Sequence, residues 1–97
     1  MVKRLKEKGS MNKRFAWTDE AWKDYIYWQT QNNKTLKRIN RLLDDIKRND
    51  PFKGIGKPEP LRENLSGFRS RRIDDTNRLV YAVDEAYIAV ISCRYHY

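Results

Sequence analysis

Apolar and polar positions along this chain change period once, near residue 51. Before that point the pattern is helical. Trp22, Tyr25 and Ile26, followed by Gln29, recur at spacings that share one helix face. Leu36, Ile39, Leu42, Leu43 and Ile46 form a second, cleaner stripe, with Lys and Arg on the other side. Thr18 stands where a helix cap belongs, and Asp19 and Glu20 complement the dipole of the first turn. Asn32-Asn33 interrupts the two stripes, and Asn33 is the expected cap of the second helix. Asp50-Pro51 ends that helix, because the residue before a proline is pushed out of the helical region.

Phe15-Ala16-Trp17, ahead of Thr18, reads as a short strand. Residues 51–60, PFKGIGKPEP, hold three Pro and two Gly and predict a loop with a constrained backbone. Beyond it the period falls to two. Strands are expected over Phe68 to Ile73, Arg78 to Val83, and Tyr87 to about Tyr95. Asp74-Asp75-Thr76-Asn77 and Asp84-Glu85 form the turns between them. Three strands joined by short turns make an antiparallel meander, and two amphipathic helices cover one of its faces. The expected fold class is therefore α+β, ordered β-α-α-β-β-β: an antiparallel sheet with two N-terminal helices on one face.

Composition narrows this picture in two ways. The chain has 97 residues, 39% of them hydrophobic, which is enough for one small domain with a modest core. No apolar run approaches the roughly 20 residues needed to span a bilayer, and no apolar segment of signal-peptide type follows the charged N-terminus. The single Cys93 excludes an internal disulfide framework and fits a reducing, cytoplasmic setting. One His and one Cys cannot build a zinc site of the usual nitrogen and sulfur kind, and no cofactor or metal is expected.

The formal net charge is +8. Residues 1–14 hold six basic side chains against one acidic, so they carry +5 of it. Gly9-Ser10 before Met11 resembles a cloning scar, and a natural basic extension is the alternative. Residues 1–13 are expected to lie outside the folded domain, disordered or peripheral, and residues 14–97 to form it. A basic balance suggests polyanion binding, though less strongly for the folded part than the total implies.

The chemistry-bearing residues fall in the second half. Cleaving an RNA backbone without a metal needs a base for the 2′-OH proton, an acid for the leaving 5′-oxygen, and cations for the phosphoryl oxygens. Glu59 is the candidate base. Pro60 biases it to an extended backbone and Pro58 fixes its own φ, so the carboxylate sits in a stiff segment. Read locally, an ordinary solvated loop glutamate is the commoner reading. Arg69, Arg71, Arg72 and Arg78 are candidate cations. Alternation puts Arg69 and Arg71 on one strand face and Arg72 on the other, and the turn at 74–77 brings Arg72 beside Arg78. The competing reading is a solvated basic edge that blocks strand addition. His96, the only histidine, is the candidate acid. Tyr95 and Tyr97 are placed to stack on unpaired bases or to pad the sheet edge. Cys93 and the three tryptophans, Trp17, Trp22 and Trp28, read as core.

The runs Lys57-Pro58-Glu59-Pro60-Leu61, Asn64-Leu65-Ser66-Gly67, Ser70-Arg71-Arg72-Ile73, Arg78-Leu79-Val80-Tyr81 and Cys93-Arg94-Tyr95-His96-Tyr97 resemble the Txe/YoeB toxins, part of the wider RelE/ParE superfamily. Trp17-Thr18-Asp19-Glu20-Ala21-Trp22 and Asp24-Tyr25-Ile26-Tyr27-Trp28 fit as well, so the similarity covers about residues 15–97. It implies the toxin half of a bacterial type II toxin–antitoxin pair, a ribosome-dependent endoribonuclease that cuts mRNA in the A site and stops translation. It further implies a YefM-type antitoxin partner, contact with ribosome and mRNA, operator DNA binding only through the antitoxin complex, and frequent homodimers. The catalytic set carried over is Glu59, Arg78, His96 and Tyr97, with Arg72 as a further arginine of the site; Lys57, Arg62, Arg69, Arg71 and Arg94 are expected RNA or phosphate contacts on their charge alone. Arg69 departs from an expected aromatic residue, and Asn77 from a common histidine. Two rival readings remain: a ParE-like gyrase poison, which would not need the acid–base set, and a non-catalytic RNA- or antitoxin-binding module, which would tolerate its loss.

Overall fold

The structure, a computed structural model, describes residues 13–62 and 67–95. Its elements are β1 (Arg14–Trp17), α1 (Asp19–Gln31), α2 (Asn33–Arg48), β2 (Glu59–Pro60), β3 (Arg69–Arg72), β4 (Arg78–Val83) and β5 (Tyr87–Ser92). The strands form one sheet in the order β1-β5-β4-β3-β2. The fold is α+β, as the periodicity predicts. Two details go beyond the expected meander. β1 pairs with β5 in parallel, since the two helices carry the chain across one face before it returns. Glu59 and Pro60, expected in a loop, add a two-residue edge strand to β3. Among the described residues no helix is long and apolar enough to cross a membrane.

The first helix turns a different face inward than its aromatic spacing suggests. Ala21 and Trp28 are buried, while Trp22 and Ile26 are 49% and 43% exposed. Thr18 sets this rotation. Its hydroxyl accepts the Ala21 N–H at 3.0 Å as a cap and donates to the Ile91 carbonyl at 2.7 Å, so the helix start is tied to β5. Trp17, Trp22 and Tyr25 then pack on one another at the margin, with ring centroids 5.0 to 6.0 Å apart. The second helix is capped by Asn32 rather than Asn33: the Asn32 side chain accepts the Thr35 N–H at 3.1 Å. Its buried stripe is Ile39, Leu42, Leu43 and Ile46, as expected.

These residues meet Leu79, Tyr81, Ile88 and Val90 in one core. Arg71 lies in it as well, with no exposed surface. It was expected among the phosphate contacts, but alternation along β3 turns it toward α2. Its Nη1 donates to Asp45 at 2.5 Å and to the Ile55 carbonyl at 3.1 Å. Nη2 donates to the carbonyls of Asp50, Pro51 and Lys53, and Nε to the Tyr81 hydroxyl at 3.1 Å. One guanidinium thereby closes the loop after α2 onto the sheet. The loop fits around it only because Gly54 and Gly56 lack side chains. Both have positive φ, and a Cβ at Gly54 would collide with the Asp45 carboxylate.

Removing this buried cation strips the Lys53 and Ile55 carbonyls of their donor and leaves the Asp45 charge without its counter-ion, while Pro51 keeps the Tyr81 hydroxyl and Asp50 the Lys53 N–H. Arg71→Met is expected to destabilise the fold by about 3–5 kcal/mol in urea unfolding. A loss under about 1 kcal/mol would show that the loop is held by something else.

Burial raises the Asp45 carboxyl, but hydrogen bonds from Arg71, Asn49 and the Ile55 N–H outweigh it and leave the group below the ordinary carboxylate range. A lowered folded pKa means stability that is present above the unfolded value and lost as pH falls through the folded one. The stability difference between wild type and Asp45→Asn should therefore hold above about pH 5 and shrink over the range from there down to about pH 2. A difference that stays constant over that range would contradict this account.

Candidate functional site

The sheet face away from the helices holds the other half of the alternation. Glu59 is registered opposite Ser70, Ser70 opposite Val80, and Arg72 opposite Arg78. Directly opposed residues share a face, so Glu59, Ser70, Arg72 and Arg78 stand together. Arg69 and Arg71 are on the opposite face, with Leu79 and Tyr81. Arg69, expected beside the phosphate, instead lies over the Phe52 ring at 4.8 Å.

Three constraints fix Glu59. The Arg72 N–H donates to the Gly56 carbonyl at 2.6 Å, and the Leu61 N–H donates to the Phe68 carbonyl at 2.9 Å, clamping the segment at both ends. Between them Glu59 pairs with Ser70. Pro58 and Pro60 have no N–H to offer a further strand, which suits an outer position. The Glu59 carboxylate is 57% exposed and accepts from Arg78 Nη1 at 3.3 Å. The same Nη1 reaches the Ser70 hydroxyl at 3.4 Å. These are long contacts, which leave carboxylate and guanidinium able to exchange partners for a ligand. Lys57 is exposed with φ +52, two residues before Glu59, and Arg62 is exposed beyond the strand.

The chain returns to this place through its last described residues. β5 ends at Ser92, three residues before the expected limit, after a bulge in which Tyr81 pairs with Val90 but Val80 pairs with Ser92. Ile91 is the extra residue, and it moves Ser92 to the face of Val80 and Ser70. Cys93 is then held by α1. Its N–H donates to Asp24 at 2.9 Å, and its carbonyl accepts from Trp28 Nε1 at 2.9 Å. Burial, with Asp24 nearby, pushes the Cys93 thiol up to about 12, so it is a packed core group and no nucleophile. Arg94, another expected phosphate contact, stacks on Tyr27 at 3.5 Å and faces Tyr95 at 4.8 Å. Tyr95 itself is 59% exposed. Its N–H donates to Asn77 Oδ1 at 2.7 Å, and its carbonyl accepts the Arg78 N–H at 2.8 Å. His96 and Tyr97 follow it, outside the described residues, as do 1–12 and 63–66. Lys13 donates to the carbonyls of Asp84 and Glu85.

The structure thus gathers Glu59, Arg72 and Arg78 and leaves Arg69 and Arg71 elsewhere. Ser70, Asn77, Asp24 and Tyr27 belong to the surroundings of the site, and only Ser70 was reachable by alternation. Among the described residues no three His, Cys, Asp or Glu side chains come together as a metal site would require.

Comparison with known proteins gives the same frame. Residues 17–97 match the family model described as YoeB-like toxin of bacterial type II toxin–antitoxin system. The chain belongs to this family. It is 54% identical over 84 residues to toxin YoeB of Streptomyces coelicolor, covering 87% of this chain and 99% of that one. The YoeB dimer from Staphylococcus aureus superposes with a TM-score of 0.83 at 46% identity, over 89% of this chain and 99% of that one. The YoeB–YefM complex from the same organism gives 0.81 at 48%, with the same coverage. The family match runs through the last residue, so it includes His96 and Tyr97.

Glu59 and Arg78 are both partly exposed, so their ion pair contributes little to folding. Glu59→Gln is expected to change unfolding stability by no more than about 0.5 kcal/mol. A loss well above about 1 kcal/mol would make Glu59 a structural residue of the β2 edge.

Proposed function

We propose that this chain is a ribosome-dependent mRNA endonuclease that cleaves in the A site by general acid–base catalysis, with residues 14–97 as the toxin domain. The observation that carries the reading is the meeting of Glu59 and Arg78 on the open sheet face, with Arg72 opposite and the C-terminal segment tied to the Arg78 backbone.

Glu59 accepts the ribose 2′-OH proton, and the 2′-oxygen attacks the phosphorus. Charge gathers on the phosphoryl oxygens, where Arg78, helped by Arg72, replaces its long contact to Glu59 with one to phosphate. His96 gives a proton to the departing 5′-oxygen, and Tyr97 orients the nucleotide. The products are a 2′,3′-cyclic phosphate, which addition of water opens to a 3′-phosphate, and a 5′-hydroxyl. Lys57, Arg62 and the exposed basic side of α2 supply the sequence-independent attraction to RNA. A YefM-type antitoxin is the proposed inhibitor, supported by the solved YoeB–YefM complex, and the solved YoeB dimer supports self-association. Operator DNA is reached only through the antitoxin complex, and the setting is the bacterial cytoplasm.

The test is primer extension on a defined mRNA in a bacterial translation extract, with ribosomes present or omitted. In-frame cuts that require ribosomes are expected, and His96→Gln should slow them by about 10²–10⁴-fold while still binding ribosomes. Absence of cuts with translation unaffected would overturn the enzyme reading and turn attention to gyrase supercoiling. Cleavage by His96→Gln near the wild-type rate would remove His96 from the mechanism.

A further inference from the structure

We propose that Asn77 is a positioning residue for the chemical step, fixing the Tyr95 backbone beside Arg78; this rests on the endonuclease reading above. Asn77 is 7% exposed, although it sits in a turn whose other residues, Asp74, Asp75 and Thr76, are open to solvent. The reason is that its amide is used at both ends. Nδ2 donates to both oxygens of Asp74, at 3.1 and 3.2 Å. Asp74 Oδ1 in turn accepts the N–H groups of Thr76 and Asn77, at 2.8 and 2.7 Å. With Nδ2 committed to Asp74, Oδ1 has one orientation, and it accepts the Tyr95 N–H at 2.7 Å.

Tyr95 has φ +65, in the left-handed region that a tyrosine rarely occupies. Both of its backbone polar groups are nevertheless fixed, one by Asn77 and one by the Arg78 N–H. The unusual backbone therefore turns the chain at Tyr95, one residue before His96. Arg78 is the common point. Its backbone grips the tail, and its side chain meets Glu59. A carboxylate base and a histidine acid on separate segments need a shared reference to act on one phosphodiester, and the Asp74–Asn77–Tyr95 chain supplies it. Arg94, stacked between Tyr27 and the Tyr95 ring, and Cys93, bonded to Asp24, hold the neighbouring side chains but leave the Tyr95 backbone to Asn77 and Arg78.

The experiment compares wild type, Asn77→Ala and Asn77→Asp in three measurements: ribosome-dependent cleavage against ribosome concentration, thermal unfolding, and hydrogen exchange of the Tyr95 amide. Asn77→Ala should lower the maximal cleavage rate by about 10- to 100-fold, as a displaced catalytic group does. Its half-saturating ribosome concentration should stay within about twofold, and its Tyr95 amide should exchange faster. Asn77→Asp keeps the size and the acceptor but sets a second carboxylate against Asp74, so repulsion should turn the side chain from Tyr95 and lower the rate at least as far as Asn77→Ala does. It also serves if the alanine variant fails to fold. A maximal rate within about threefold of wild type in a folded variant would reduce Asn77 to a structural role. Unchanged Tyr95 exchange would show that Asn77 does not hold the tail. If wild type itself does not cleave, the endonuclease reading fails, and Tyr95 exchange alone then decides whether the clamp exists.

Discussion

The arrangement depends on one buried cation. Arg71 reaches from β3 into the space between the sheet and α2, where it meets one carboxylate, one hydroxyl and four backbone carbonyls. Without it, the Lys53 and Ile55 carbonyls would face the core with no donor, and Asp50 and Pro51 would keep only the Lys53 N–H and the Tyr81 hydroxyl, which is costly in a low-dielectric interior. With it, that loop is locked. The locked loop delivers the chain to Gly56, where the carbonyl pairs with the Arg72 N–H, and so to Glu59. A carboxylate more than half exposed on a two-residue edge strand has little packing of its own to hold it. Its position is inherited from the buried charge on the opposite face.

The same alternation makes adjacent arginines do opposite work. Arg71 and Arg72 are neighbours in sequence, yet one is inside and saturated while the other opposes Arg78 on the open face. A phosphate-binding role and a scaffold role are both available to arginine because its planar group donates to several acceptors at once and keeps its charge. Which role applies is decided by the pleat. The bulge at Ile91 uses the same logic in reverse: one additional residue moves Ser92 to the face of Val80 and frees the chain to turn under α1.

The broad fold was legible because it rests on periodicity. The stripe on α2, the change of period after residue 51 and the polar turns at 74–77 and 84–85 each point one way. The helix α1 was misread because its aromatics are spaced for a face, but the Thr18 bond to Ile91 rotates them to the margin. Periodicity cannot weigh that contact, which lies 73 residues away in sequence. Arg69 and Arg71 were assigned to phosphate on residue type alone. Alternation had already separated them from Arg72, and the only missing fact was which face the helices cover. Glu59 was singled out by its prolines, but its strand pairing was hidden, because two residues carry no period at all. Asn77 and Asp24 left no local signal. Each acts on the tail from a distance in sequence, and polar residues in a turn or on a helix look the same whether or not a remote backbone uses them.

The same contacts show how such a small domain keeps Glu59 and the C-terminal segment apart yet in register. Glu59 hangs on the outer edge of the sheet, and the tail descends from β5, two strands away from β3. Neither segment touches the other through regular pairing. Both are referred to the start of β4: Glu59 through the Arg78 guanidinium and Tyr95 through the Arg78 N–H. That strand is in the middle of the sheet, between β5 and β3, and its Leu79 and Tyr81 are wholly buried. A central, well-packed strand is the last part of a sheet to open locally, whereas edges and ends open easily. Tying two mobile kinds of element to one immobile residue fixes their separation without requiring either to be buried. The Glu59 carboxylate and Tyr95 thus both remain exposed, while the separation of their segments is set by the core.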